Sequence, residues 1–182
     1  MRLFVGLALS DEAKTMLERV TLRLRGPEDG LRWPTVEQWH ITLVFLGVVE
    51  DRERAVLLRA LRKIRATAVS IEINGLGTFD RAGVLYAAVE ITPGLLRLQQ
   101  TVAETIRMSG FALEERPYKP HITLARSRNR GGSQTLQRLG AVLAQQRLQV
   151  SWTAEEFLLY ESELSPTGSR YRVRERFALT KS

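Results

Sequence analysis

Two copies of one tetrapeptide, His40-Ile41-Thr42-Leu43 and His121-Ile122-Thr123-Leu124, stand 81 residues apart in a chain of 182. They contain its only two histidines. A repeat spaced at close to half the chain implies two related lobes, each contributing one equivalent strand. Side chains on a strand alternate faces, so His and Thr at i and i+2 point one way while Ile and Leu point the other. Each copy therefore has a reactive face and a packing face. Two such strands across a shared cleft would bring two imidazoles and two hydroxyls together from opposite sides.

The segments around the repeat mix strands and helices in an order that predicts α+β layers rather than a doubly wound sheet. Strand character runs over Arg2–Leu9, and Ser10 is placed to cap a helix reaching about Arg25, with Asp11 and Glu12 favoured in its first turn. A strand over His40–Leu46 follows, then an amphipathic helix from Glu50 to about Arg65 with Val56, Leu57, Ala60, Leu61 and Ile64 inward. Val69–Phe79 and Val84–Ile91 read as a hairpin around Asp80-Arg81-Ala82-Gly83. Pro93 opens a third helix that stops at Gly110, and His121–Ala125 is again a strand. Ser127–Ser133 reads as an exposed Gly-rich loop carrying Arg128 and Arg130, ahead of a helix from Gln134 to Gln146. Two strands, near Gln149–Tyr160 and Tyr171–Leu179, close the chain around a turn at Ser165–Gly168. No linker is long enough to separate independent domains, so residues 1–182 are expected to fold as a single unit with two intertwined lobes.

The paired His-x-Thr faces suit the opening of a cyclic phosphodiester. In-line attack on phosphorus puts nucleophile and leaving oxygen on opposite sides, so one group must take a proton and another must give one. Histidine, with an unperturbed pKa of about 6.5, can do either near neutrality. His40 and His121 are the candidate catalytic pair, and residue chemistry alone allows either assignment of acid and base. Thr42 and Thr123 can hold the non-bridging oxygens, and Arg126 can supply a cation. On an ideal strand Arg126 does not share the face of His121, so a bulge, a strand end or its long side chain must bring it back. The same alternation turns Phe45 away from His40 and into the core.

Composition excludes several alternatives. There is no cysteine, so disulfides, thiolate metal sites and a cysteine nucleophile are ruled out together. Two histidines without a carboxylate-rich cluster leave a zinc site short of ligands, and no G-x-S-x-G elbow is present. Neither a metal nor a cofactor is expected. No apolar run approaches the roughly 20 residues of a membrane span. The opening passes directly into Ser10-Asp11-Glu12 and reads as a buried strand rather than a signal peptide, which makes the cytoplasm the expected location. A formal net charge of +7 favours a polyanionic partner, with nucleic acid first. Recruitment to an anionic membrane is disfavoured, since no helix pairs a basic face with bulky aromatic anchors.

Taken together, Arg2-Leu3-Phe4-Val5-Gly6-Leu7, Leu31-Arg32-Trp33-Pro34, Trp39-His40-Ile41-Thr42-Leu43-Val44-Phe45-Leu46-Gly47, Gly75-Leu76-Gly77-Thr78-Phe79, Arg116-Pro117-Tyr118-Lys119-Pro120-His121-Ile122-Thr123-Leu124-Ala125-Arg126 and the stretch from Leu159 to Tyr171 resemble the two-histidine phosphoesterases. Within that superfamily the similarity is to the bacterial RNA 2′,3′-cyclic phosphodiesterases, also called 2′-5′ RNA ligases. The resemblance implies a bilobal fold with pseudo-twofold antiparallel sheets and outer helices around a central cleft. It implies hydrolysis of RNA 2′,3′-cyclic phosphates to 2′-phosphates without a metal, with His40 protonating O3′ and His121 activating water. Some members of the family also join or cleave 2′-5′ linkages in RNA, the ligation being the weak reverse of that cleavage.

Trp33, Tyr118 and Tyr160 are candidate base-stacking residues. Arg128 and Arg130 are candidates for contact with the RNA backbone. RNA with a 2′,3′-cyclic phosphate end is the expected partner, tRNA fragments among the candidates, and the protein is expected to be a monomer. The rivals are an inactive RNA-binding module that kept the cleft and a relative acting on a small cyclic nucleotide or 2′-5′ oligoadenylate. Turnover of an RNA end compared with a mononucleotide separates them.

Overall fold

The computed structural model describes residues 1–143, 148–165 and 168–181. Among the described residues nine strands and four α-helices follow in order: β1 (Arg2–Leu7), α1 (Asp11–Leu24), β2 (Leu31–Arg32), β3 (Ile41–Val48), α2 (Asp51–Leu61), β4 (Val69–Phe79), β5 (Val84–Val89), α3 (Pro93–Met108), β6 (His121–Ser127), α4 (Arg130–Leu143), β7 (Val150–Ala154), β8 (Glu156–Ser165) and β9 (Gly168–Ala178). The strands form two antiparallel sheets, ordered β3-β1-β8-β9 and β2-β6-β5-β4-β7.

Local chemistry explains most boundaries. Ser10 Oγ accepts from Ala13 N–H at 3.1 Å and starts α1. Thr92 Oγ1 accepts from Leu95 N–H at 3.2 Å, with Pro93 in the first turn of α3. Ala13 and Leu17 of α1, Leu57 and Leu61 of α2, Leu95 and Leu98 of α3 and Leu136 of α4 share one core with Val5, Ile41, Ile73, Leu85 and Ile122 from both sheets. No helix among the described residues is long and apolar enough to cross a membrane.

The structure corrects four expectations. Helix α2 ends at Leu61 rather than Arg65, because Lys63 and Ile64 donate to Ala60 and Leu61 in tight i→i−3 turns. Val56 on that helix faces outward, 46% exposed. Helix α4 begins at Arg130, inside the expected loop: Asn129 Oδ1 accepts from Gly132 N–H at 3.0 Å and Ser133 N–H reaches Asn129 O, so asparagine caps the helix four residues early. The expected strand Gln149–Tyr160 is two strands in different sheets, divided at Glu155, with β7 beside β4 and β8 beside β1. Gln146, the expected end of α4, and Pro166 and Thr167 of the final turn lie outside the described residues.

Pseudo-symmetry extends to the register. Motif strand β3 pairs with β1, and motif strand β6 pairs with β5. Gly6 opposes Thr42 and Val5 opposes Val44, so Leu43 is an extra residue on β3. Likewise Tyr86 opposes Thr123 and Leu85 opposes Ala125, which makes Leu124 extra on β6. Both motif strands therefore carry a β-bulge at the Leu that ends the tetrapeptide. Leu43 and Val44 are consecutively buried, as are Leu124 and Ala125, as a bulge requires.

Candidate active site

A cleft of about 290 Å³ between the sheets is lined by His40, Thr42, His121, Thr123, Arg126 and Trp33, together with Arg2, Phe4, Arg32, Pro34, Gln38, Phe45, Ser162, Ser169 and Tyr171. The two copies of the tetrapeptide thus meet across one space. Each histidine stands at the entry to its strand, and each is held the same way. His40 Nδ1–H donates to the carbonyl of Gln38 at 2.8 Å, and His121 Nδ1–H donates to the carbonyl of Lys119 at 2.8 Å. A carbonyl can only accept, so the proton sits on Nδ1 and Nε2 is the free basic atom of each neutral ring.

Aromatic pairs support both rings. Phe4 stacks on Tyr160 with centroids 4.9 Å apart, and His40 lies 4.6 Å from Phe4 and edge-on to Tyr171 at 4.8 Å. Phe79 stacks on Tyr86 at 4.1 Å, and His121 meets Phe79 edge-on at 5.1 Å. Gly77 makes the second pair feasible, since a Cβ there would lie 2.7 Å from the Tyr86 hydroxyl.

Burial among these rings disfavours the imidazolium, lowering the pKa of His40 to about 4 even though the Gln38 carbonyl opposes the shift. The charges of His121 and Arg126 lower it further. His121 is also lowered by burial, with the Lys119 carbonyl opposing and Arg126 assisting. At neutral pH both rings are neutral, with two Nε2 lone pairs available to one ligand.

The bulge at Leu124 returns Arg126 to the side of His121 and Thr123, which meets the condition that ideal alternation denied. The equivalent bulge at Leu43 does the same for Phe45. Expected in the core, Phe45 is 46% exposed and lines the cleft with the Arg2 guanidinium 5.4 Å from its centroid. Extending the repeat by two residues, to His-Ile-Thr-Leu-Val-Phe and His-Ile-Thr-Leu-Ala-Arg, would have aligned Phe45 with Arg126 in advance.

Trp33 lines the cleft, its Nε1–H donating to Asp29 Oδ2 at 2.8 Å and its ring 5.3 Å from the Arg25 guanidinium. The other stacking candidates stand elsewhere. Tyr118 packs against the core with its hydroxyl buried and without a hydrogen-bond partner among the described residues, and burial raises its pKa. Tyr160 is buried beneath Phe4, and burial pushes its hydroxyl up to about 12. Neither lines the cleft. Arg128, between β6 and α4, and Arg130, the first residue of α4, are exposed and do not line the cleft.

A profile of the 2′-5′ RNA ligase superfamily matches residues 10–165 of the chain. The RNA 2′,3′-cyclic phosphodiesterase of Thermus thermophilus is 31% identical, the alignment covering 98% of this chain and 90% of that one. The protein of the same name from Thermotoga maritima is 28% identical over 95% of this chain and 92% of its own. Among solved structures, Escherichia coli LigT complexed with 3′-AMP superposes with a TM-score of 0.80 at 27% identity, covering 98% of each chain. With the fold, both tetrapeptides and the cleft between them accounted for, the chain belongs to the 2′-5′ RNA ligase superfamily.

Proposed function

We propose that this protein hydrolyses RNA 2′,3′-cyclic phosphate ends to 2′-phosphomonoesters by acid–base catalysis between His40 and His121. The observation that carries this reading is the pair of imidazoles held through Nδ1 at equivalent entries to one cleft. His121 Nε2 takes a proton from the attacking water, and protonated His40 gives one from Nε2 to the departing O3′. The hydroxyls of Thr42 and Thr123 hold the non-bridging oxygens, and Arg126 adds positive charge as negative charge builds on phosphorus. Because burial keeps the His40 ring neutral, the anionic cyclic phosphate itself must draw its proton in. Turnover leaves His121 protonated and His40 neutral, and exchange with solvent resets both. With the 5′-hydroxyl of another strand in place of water, the same groups in the same roles form a 2′-5′ linkage: His121 takes the hydroxyl proton, the P–O3′ bond breaks and His40 protonates O3′. RNA ends such as tRNA fragments, a monomeric enzyme and a cytoplasmic setting complete the reading.

The decisive assay is incubation with an oligoribonucleotide ending in a 2′,3′-cyclic phosphate, in EDTA, with the product end identified. The expected product resists a 3′-specific phosphatase and retains a 2′-phosphate. Absence of turnover would refute the reading. Loss on chelation with recovery on adding a divalent ion would refute metal-independent catalysis, and a predominant 3′-phosphate would reverse the binding pose.

Phe45 offers its open face to a base of the bound end. A base stacked on an aromatic ring contributes about 1–3 kcal/mol, so Phe45→Ala should raise KM by roughly 10-fold and change kcat little. Steady-state kinetics with a cyclic-ended dinucleotide tests this, and an unchanged KM would remove Phe45 from the binding surface.

A further inference from the structure

Strand β2 is only two residues long and forms the outer edge of the five-stranded sheet. Its Arg32 stands directly opposite Arg126 of β6, and both side chains open on the cleft. Like charges directly opposite on adjacent strands are destabilising. Neither guanidinium has a carboxylate within ion-pair distance among the described residues. An arginine pair held this way is suited to an anion from outside the protein.

The reacting phosphate does not account for both cations. It is a monoanion lying between His40 and His121, and two threonine hydroxyls and Arg126 already face it. Arg126 stands five residues beyond His121 along a bulged strand. At about 3.3 Å per residue its Cα lies on the order of 13 Å away, and Arg32 is one strand further out. Arg32 therefore stands off the line between the histidines, toward the open edge of the sheet. Beyond it the connection from β6 to α4 carries exposed Arg128 and Arg130, and the Arg128 N–H bonds the Gly30 carbonyl at 2.9 Å, joining that connection to the loop before β2.

We infer that Arg32, beside Arg126, forms a second phosphate subsite, which holds the phosphodiester on the 5′ side of the terminal nucleotide and directs the RNA out over β2 past Arg128 and Arg130. The inference rests on the function proposed above and adds what makes the cleft distinguish a strand from a mononucleotide. Arg32 touches no reacting atom in this arrangement; it sets specificity.

Three substrates test it: a 2′,3′-cyclic mononucleotide, a dinucleotide with the same cyclic end, and that dinucleotide with its internal linkage made a neutral methylphosphonate. In the wild type, kcat/KM should be at least 10-fold higher for the charged dinucleotide than for the neutral one. Arg32→Ala should remove most of that preference and lower mononucleotide turnover no more than about three-fold, and Arg32→Lys should restore part of it. Equal wild-type rates on both dinucleotides would overturn the inference. So would an Arg32→Ala loss of the same size on all three substrates, which would put Arg32 on the reacting phosphate. Thermal melts of both variants report whether the fold is intact. Equilibrium titration with the two dinucleotides ending in an unreactive 3′-phosphate reads the subsite without catalysis. If no cyclic end is hydrolysed, the proposed function fails, while charge-dependent binding lost in Arg32→Ala would still support the subsite and its absence would reject it.

Discussion

Replacing His40 or His121 by alanine should each lower kcat for cyclic phosphate opening by on the order of 100-fold or more. Removing the base leaves water at its own acidity, and removing the acid leaves O3′ to depart as an alkoxide. In the proposed mechanism the two rings serve one proton-transfer cycle, so the double variant should fall well short of the product of the two single losses. Thr42→Ala and Thr123→Ala remove one neutral hydrogen bond each and should cost about 1–3 kcal/mol in transition-state stabilisation. Single-turnover rates on a cyclic-ended RNA rank the four variants. Near wild-type turnover by either histidine variant would remove that residue from the mechanism, and threonine losses exceeding the histidine ones would invert the roles.

The second large effect is on folding rather than on rate. His40 has a folded-state pKa of about 4, below the ordinary 6.5 that it regains in the unfolded chain. Between those values the unfolded state binds the proton more readily than the folded one. The contribution of His40 is thus intact above pH 6.5 and is lost as pH falls from 6.5 toward 4. At pH 4.5 the loss relative to pH 7 should reach roughly 2.5 kcal/mol. His121 acts in the same direction, since its pKa is also lowered. Carboxylates titrate in this range as well, so the comparison is between wild type and His40→Phe, which keeps the ring volume and removes the titration. Urea unfolding at pH 7 and pH 4.5 should show a drop in stability about 2.5 kcal/mol smaller in the variant. Equal drops would mean that His40 takes up its proton inside the fold without penalty.

Both predictions join a feature visible in the chain to one that is not. That His40 and His121 form a pair was legible, because the only two histidines occupy the same tetrapeptide. Their low proton affinity was not, because it arises from Phe4, Tyr171, Phe79 and Tyr86, which come from four other strands. Tyr118 illustrates the opposite failure. It lies three residues from His121 and was a reasonable stacking candidate, yet its ring packs into the core while Trp33, seven residues before His40, reaches the cleft. Proximity in sequence says little about the direction of a side chain before a strand begins.

Local patterning by itself determined that this chain is α+β, that two equivalent strands carry the repeated tetrapeptide, and where most helices start. Those properties depend on short-range periodicity and capping, which act within a few residues. Only the tertiary structure decided the face on which each residue after the motif lies. Strand alternation predicts that face correctly until a bulge inserts a residue, and the bulges at Leu43 and Leu124 exist only through pairing with β1 and β5. Each one turns the residues that follow it to the other face. That is why Phe45, expected inside, opens on the cleft, and why Arg126 lies there beside Arg32, a neighbour 94 residues away in the chain that β2–β6 pairing alone brings close.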